Sequence, residues 1–120
     1  MDVLAVAEEL MLRLYQVGHT CEEDLQAKIA SALTSSSVPF EREVNLTPTD
    51  RIDFLVGKVG IEVKVKGSPT EVARQLNRYV QSDRIESLLL VTSKATHRAL
   101  PSELNGKQIR LLYLNPLAAF

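Results

Sequence analysis

Arg51-Ile-Asp-Phe-Leu-Val-Gly-Lys-Val-Gly-Ile-Glu-Val-Lys-Val-Lys66 holds two apolar, alternating segments, 51–56 and 61–66, on either side of Gly57-Lys-Val-Gly60. That is the pattern of a β-hairpin. Side chains alternate across a strand. Ile61, Val63 and Val65 therefore face one way, and Glu62, Lys64 and Lys66 the other. On the partner strand Ile52, Phe54 and Val56 form the apolar set, with Arg51, Asp53 and Leu55 opposite. If Gly57 and Gly60 face each other across the turn, Asp53 lies opposite Lys64 and Leu55 opposite Glu62. Asp53 and Glu62 are then diagonal neighbours on one face, within reach of a shared ion. A slip of one residue would put them on opposite faces.

Two carboxylates on one face repel unless a cation sits between them. Hard oxygen ligands suit Mg²⁺ or Mn²⁺, which keep several waters and take one or two protein carboxylates plus substrate phosphate. Lys64, beside the pair, could orient an attacking water or stabilise charge on phosphate. The same alternation of Glu, Val, Lys and Val is also how a solvated strand face looks, with weak cross-strand ion pairs.

Outward from the hairpin, the chain divides into segments of clear period. Residues 2–16 carry Val3, Leu4, Ala7, Leu10, Met11 and Leu14 at helical spacing. Gly18 ends that helix. Thr20 suits an N-cap for a second one, with Glu22, Glu23 and Asp24 in its first turn and Leu25, Ile29 and Leu33 along its stripe. Residues 34–39 are a loop. Residues 40–46 alternate as a strand, with Phe40, Arg42, Val44 and Leu46 on one side. Residues 47–50 are a turn. After the hairpin, Ser68 caps a helix over 69–81 that has Pro69 in its first turn and buries Val72, Leu76 and Tyr79 or Val80. Leu88-Leu-Leu-Val91, within a strand over 85–92, is an apolar run expected of a strand buried on both faces. A short helix over 94–100 and a strand over 108–114 complete the order α-α-β-β-β-α-β-α-β. This predicts an α/β fold with a central mixed sheet of about five strands flanked by helices. The strand after the crossover helix should run parallel to a central strand.

Composition sets the outer bounds. A length of 120 residues is that of one domain. No apolar run approaches the roughly 18–20 residues that span a bilayer, so no membrane partner is expected. The N-terminus lacks the basic and small-residue features of a secretory signal. The single Cys21 has no internal disulfide partner, which suits a reducing, cytoplasmic setting. The net charge of −1 argues against wholesale coating of nucleic acid. Basic residues are nonetheless bunched at Lys58, Lys64, Lys66, Arg74, Arg78 and Arg84, and again at Lys94, His97 and Arg98. His19 and His97 are isolated and read as surface residues. Cys21 reads as structural or incidental. No glycine-rich phosphate loop is present.

In a hairpin, Asp53-x8-Glu62-x-Lys64 resembles the PD-(D/E)XK nuclease superfamily. Glu22, three residues before Leu25, matches the Glu-x-x-Leu spacing of the archaeal Holliday-junction resolvase branch, with Glu23 as the alternative. Gln75-Leu-Asn-Arg-Tyr79 is similar to the Gln-x-x-x-Tyr element of the RecB-like exonuclease branch. Positions i and i+4 share a helix face, so Gln75 and Tyr79 can point together. The likeness covers roughly residues 20–92; one departure is Ile52, where the family name has proline.

The resemblance implies a restriction-endonuclease-like core and a Mg²⁺- or Mn²⁺-dependent DNA nuclease. It implies that Asp53 and Glu62 ligate the metal with the Val63 carbonyl and that Glu22 contributes directly or through a water. Lys64 would position the water and Gln75 support the site. Lys66, Arg74, Arg78 and Tyr79 would meet the nucleic acid, mainly its phosphates. Cutting of junction or flap DNA would call for a homodimer, with the apolar first helix and residues 114–120 as candidate interface. Two other expectations stand beside this one. The chain is a non-catalytic binding or assembly module that keeps the fold, or a nuclease subunit that needs a helicase or specificity partner.

Overall fold

The computed structural model describes residues 1–15 and 17–115. Helices α1 (Val3–Leu14) and α2 (Glu22–Ser35) precede strands β1 (Glu41–Asn45), β2 (Arg51–Val56) and β3 (Val59–Lys64). Helix α3 (Pro69–Tyr79) leads to β4 (Ser87–Thr92). A 3-10 helix (Ala95–Ala99) then leads to β5 (Glu103–Leu104) and β6 (Lys107–Tyr113). The sheet is mixed and six-stranded, in the order β1-β2-β3-β4-β6-β5. Strands β3, β4 and β6 run parallel, and the other neighbours antiparallel. Strand β4 thus lies parallel to the central β3 across the α3 crossover, as expected.

The sheet is sandwiched. Helices α1 and α2 cover one face through Val6, Leu10, Leu25, Ile29 and Leu33, against Ile61, Val63, Leu89 and Val91. Helix α3 covers the other with Val72, Leu76 and Tyr79, against Leu55, Leu88 and Leu90. Residues 88–92 are all buried, as a strand covered on both faces requires.

Local chemistry accounts for the helix ends. Asp2 caps α1, its Oδ1 accepting from Ala5 N–H at 2.8 Å. Cys21, not Thr20, caps α2: its Sγ accepts from Asp24 N–H at 3.4 Å. Thr20 lies one residue before the cap, and its own N–H is held by Asp24 Oδ2 at 2.9 Å. Ser68 caps α3 as expected, accepting from Glu71 N–H at 3.2 Å.

Several expectations need correction. The hairpin turn is two residues long, Gly57-Lys58, with Val56 opposite Val59. Gly57 takes φ +59°, the left-handed conformation such turns demand. Gly60 is therefore a strand residue with a different reason to be glycine. A Cβ there would sit 2.5 Å from Ile52 Cδ1 and 2.8 Å from both Ile85 Cδ1 and Leu88 Cδ2. The β2–β3 register consequently differs by two residues from that expected, an even shift that leaves the faces of residues 54–56 and 59–61 unchanged. On α1, Leu4 and Met11 belong to the exposed side rather than the buried stripe. The sixth strand, β5, was not foreseen. It is only two residues long and turns into β6 at Asn105-Gly106, both with positive φ. Residues 116–120, part of the expected interface, lie outside the described residues.

Candidate functional site

The ladder between β2 and β3 runs from Val56↔Val59 to Phe54↔Ile61 and stops there. The next residues in register are Asp53 and Glu62. Their side chains replace the missing backbone pairing. Val63 N–H donates to Asp53 Oδ2 at 2.8 Å, and Asp53 N–H donates to Glu62 Oε1 at 3.3 Å. Strand β1 bends at the same point: Glu43 has φ +52°. Before this point Arg42 packs over the Phe54 ring, 5.2 Å from its centroid. Past it, Val44 and Ile52 belong to the opposite core. Ile52 thus leaves the apolar set it was expected to share with Phe54 and Val56. Alternation is reset on both strands at the Glu43–Asp53 level, and Asp53 is turned toward β3.

Glu62 is 3% exposed and lies against α3. Its Oε2 is 3.0 Å from Tyr79 Oη and 3.5 Å from Lys64 Nζ. Tyr79 Oη also lies 3.0 Å from the Arg51 carbonyl and accepts from Gln75 Nε2 at 2.7 Å. A phenol has one proton. It cannot donate to both the Arg51 carbonyl and a Glu62 carboxylate. A proton on Glu62 resolves the conflict: Glu62 donates to Tyr79, and Tyr79 to Arg51.

The electrostatics agree with that assignment. Burial first, and the Asp53 charge second, push Glu62 up to about 8, against the pull of Lys64. Burial also raises Asp53, opposed by the Val63 N–H. The two carboxyl groups act on each other so that Glu62 is raised the more, and the proton belongs to Glu62. Burial, and then the neighbouring Glu62, hold the Tyr79 phenol well above its ordinary range.

Glu22 enters from the first turn of α2. Its Oε1 accepts from Val65 N–H at 3.2 Å, while Glu23 points to solvent. Glu22 is thus the acid that reaches the rim of the site, close enough to raise Asp53. It does not converge with Asp53 and Glu62. Among the described residues no three His, Cys, Asp or Glu side chains form a group that could hold a metal ion. Cys21, Glu22, Glu23 and Lys66 line a depression of about 370 Å³ at this rim.

No family model, curated protein or solved structure matches this chain.

The sites expected from sequence therefore separate by geometry. Asp53, Glu62, Lys64 and the Val63 backbone come together, with Glu22 at the edge. Gln75 touches Tyr79 rather than the carboxyls. Tyr79 is 1% exposed, so it cannot meet nucleic acid as expected; it holds Glu62 from inside. Arg78 is engaged with Asp50 at 3.0 Å. Lys66 and Arg74 are exposed and carry no ion pair among the described residues.

His97, expected at the surface, is fully buried. Its Nε2 lies 2.8 Å from the Gly67 carbonyl and its Nδ1 2.7 Å from Thr92 Oγ1. Lys94 Nζ reaches the same Gly67 carbonyl at 3.0 Å. These residues tie down the loop between β3 and α3. A lone histidine carries no periodic signal, so the sequence offered no means of finding this tie.

Proposed function

We propose that the chain is a metal-dependent DNA nuclease with a restriction-endonuclease-like core. The observation that carries this reading is the break in the β2–β3 ladder, filled by the largely buried carboxyls of Asp53 and Glu62, each accepting a backbone N–H across the gap. A purely structural strand pair would continue its ladder, because burying ionisable groups is costly. A site that exchanges a proton for a cation has reason to accept that cost.

The donor set fits Mg²⁺ or Mn²⁺: two carboxyls, a backbone segment at Val63 and a half-open side toward solvent. Such an ion, when bound, neutralises charge on a phosphodiester and acidifies a water. Asp53 and Glu62 would hold it. Tyr79, fixed by Gln75, orients Glu62. Lys64 balances the carboxyl charge and positions the attacking water. Glu22, at the rim, would contribute through a water. Lys66 and Arg74 would take phosphates, contacts that position DNA without reading its sequence. Cutting is therefore expected to follow DNA structure, such as junctions or flaps, rather than sequence.

The test is cleavage of linear, circular, single-stranded and four-way-junction DNA in Mn²⁺ or Mg²⁺. Asp53→Ala and Glu62→Ala should lower the rate by on the order of a thousandfold. Lys64→Ala should lower it while leaving Mn²⁺ uptake measurable by calorimetry. Equal cleavage by wild type and both carboxyl variants would refute the reading.

One observation favours a second reading. No third acid joins Asp53 and Glu62 among the described residues, which suits a non-catalytic nucleic-acid-binding or assembly module, or a subunit completed by a partner protein. A binding module takes up no Mn²⁺ through its carboxyls. A dependent subunit takes it up but cuts only with its partner present.

A further inference from the structure

Strand β6 has an open edge. Strand β5 pairs with it only at Lys107 and Gln108. Just beyond, Ile109 N–H donates outward to Ser102 O at 2.8 Å, whereas Leu114 N–H donates inward to Thr92 O at 2.8 Å. Backbone groups alternate sides along a strand. The N–H and C=O groups of Leu111 and Tyr113 therefore point out of the sheet, and among the described residues no strand pairs with them. Such an edge is a template for another strand unless it is blocked. The opposite edge is blocked: β1 exposes Glu41, Arg42 and Glu43 and bends at Glu43.

The two sides of this edge differ in chemistry. Toward the 3-10 helix lies a depression of about 280 Å³ whose lining includes Arg98, Ser102 and Arg110 and no acid. Both arginines are exposed, and neither carries an ion pair among the described residues. The Arg98 guanidinium lies over the Tyr113 ring, 4.9 Å from its centroid, which holds its charge beside the open backbone groups. Toward α1 lies a depression of about 160 Å³ lined by the apolar Ala7, Met11, Leu111 and Leu112, with Glu8 and Arg110 contributing one charge of each sign. Met11 is exposed there. One side therefore calls for negative side chains and the other for apolar ones. The side chains of an added strand alternate between those two sides.

We propose that this edge binds an extended segment of another protein in which acidic and apolar residues alternate. Its acids would meet Arg98 and Arg110, its apolar residues Met11 and Leu112, and its backbone the open groups of Leu111 and Tyr113. Other occupants fit less well. Strand β6, Lys107-Gln-Ile-Arg-Leu-Leu-Tyr113, has two cations and no acid. A second copy paired antiparallel through it would bring cation toward cation, which is unfavourable. Residues 116–120 of the same chain likewise carry no acid. A nucleic-acid backbone would suit the arginines, but its phosphates only accept hydrogen bonds and leave the outward C=O groups unmet. An alternating acidic strand matches the charge, the apolar side and both kinds of backbone group. Binding there is independent of the nuclease reading.

The test uses the full chain and a fluorescein-labelled peptide, Val-Glu-Val-Glu-Val-Glu, read by anisotropy. Its length is that of an ordinary strand, about five to six residues. The acidic peptide is expected to bind, and the same peptide with lysine for glutamate is not. Arg98→Glu together with Arg110→Glu should weaken the acidic peptide at least about tenfold and confer binding of the lysine peptide. Both positions are exposed, so the exchange spares the core. N-methylation of one alternate set of peptide amides should abolish binding, and of the other set leave it intact, because only one set faces the strand. Amide exchange followed by NMR should slow at Leu111 and Tyr113 when the peptide is bound. No binding at about 1 mM peptide overturns the proposal. So does binding that survives the double charge exchange, treats the two methylated sets alike or leaves exchange at Leu111 and Tyr113 unchanged. Protection of those two amides that rises with protein concentration alone assigns the edge to a second copy and overturns it too. A DNA oligonucleotide that takes the edge in preference to the acidic peptide does the same.

Discussion

The two ends of the β2–β3 hairpin are built from the same alternating sequence and held by opposite means. Near the turn, residues 54–56 and 59–61 form an unbroken ladder between two apolar cores. At the open end, Asp53 and Glu62 take the place of the ladder, and Glu22, Lys64 and Tyr79 surround them. The first end depends on shape. The second depends on protonation. One strand pair can thus be rigid where it packs and responsive to charge where it opens.

That contrast can be broken most forcefully at the turn end. Gly60→Ala forces a Cβ into Ile52, Ile85 and Leu88. Overpacking of this kind destabilises by about 1–3 kcal/mol, and the contact under 3 Å puts Gly60→Ala at the upper end. Denaturant unfolding should show it with little dependence on pH.

The open end should show the reverse. The folded chain holds a proton on Glu62 up to about 8, whereas an ordinary glutamate releases it near 4.5. Stability from this group is full below about pH 4.5 and is lost as pH rises through 8. Between those limits the slope approaches about 1.4 kcal/mol per pH unit per proton. The raised Asp53 acts in the same direction. Glu62→Gln should flatten the fall and melt above wild type at pH 8. A wild type more stable at pH 8 than at pH 5, unchanged by Glu62→Gln, would remove the contrast.

The smallest expected effect sharpens it. Tyr79→Phe keeps the packing of α3 and removes the Oη that meets Glu62, Arg51 and Gln75. A lost buried hydrogen bond costs about 1 kcal/mol. Thermal melts should show a modest loss, and its size should change across the titration of Glu62.

What the sequence disclosed follows from what periodicity can carry. That Asp53 and Glu62 meet was legible because an even register shift does not exchange the faces of the two strands; the switch of Ile52 to the opposite core was not. The turn length was not, because Gly60 looks like a turn residue and owes its identity to Ile52, which sits nearby only in three dimensions. Helix α3 was legible from Ser68, Pro69 and its stripe. The Gln75–Tyr79 spacing told that the two share a face, not that the face turns inward to Glu62. The bend at Glu43 arises from pairing with β2 and left no local mark. Strand β5 was missed although Asn105-Gly106 is a strong hairpin signal, because two residues are too few to show alternation.

The buried His97 has a consequence for the chain as material for change. Its imidazole and the Lys94 ammonium converge on one carbonyl, that of Gly67. The segments leaving two parallel strands are thereby tied to a single atom. An insertion at Gly67 would strand a buried ring N–H and separate α3 from the carboxyl that Tyr79 steadies. Added length is better tolerated where residues are exposed and their hydrogen bonds close on one another, as in the turn at Thr47, Pro48 and Thr49. If this scaffold is to acquire a new reach or a new preference, that turn is where residues can be added without disturbing what already lies within.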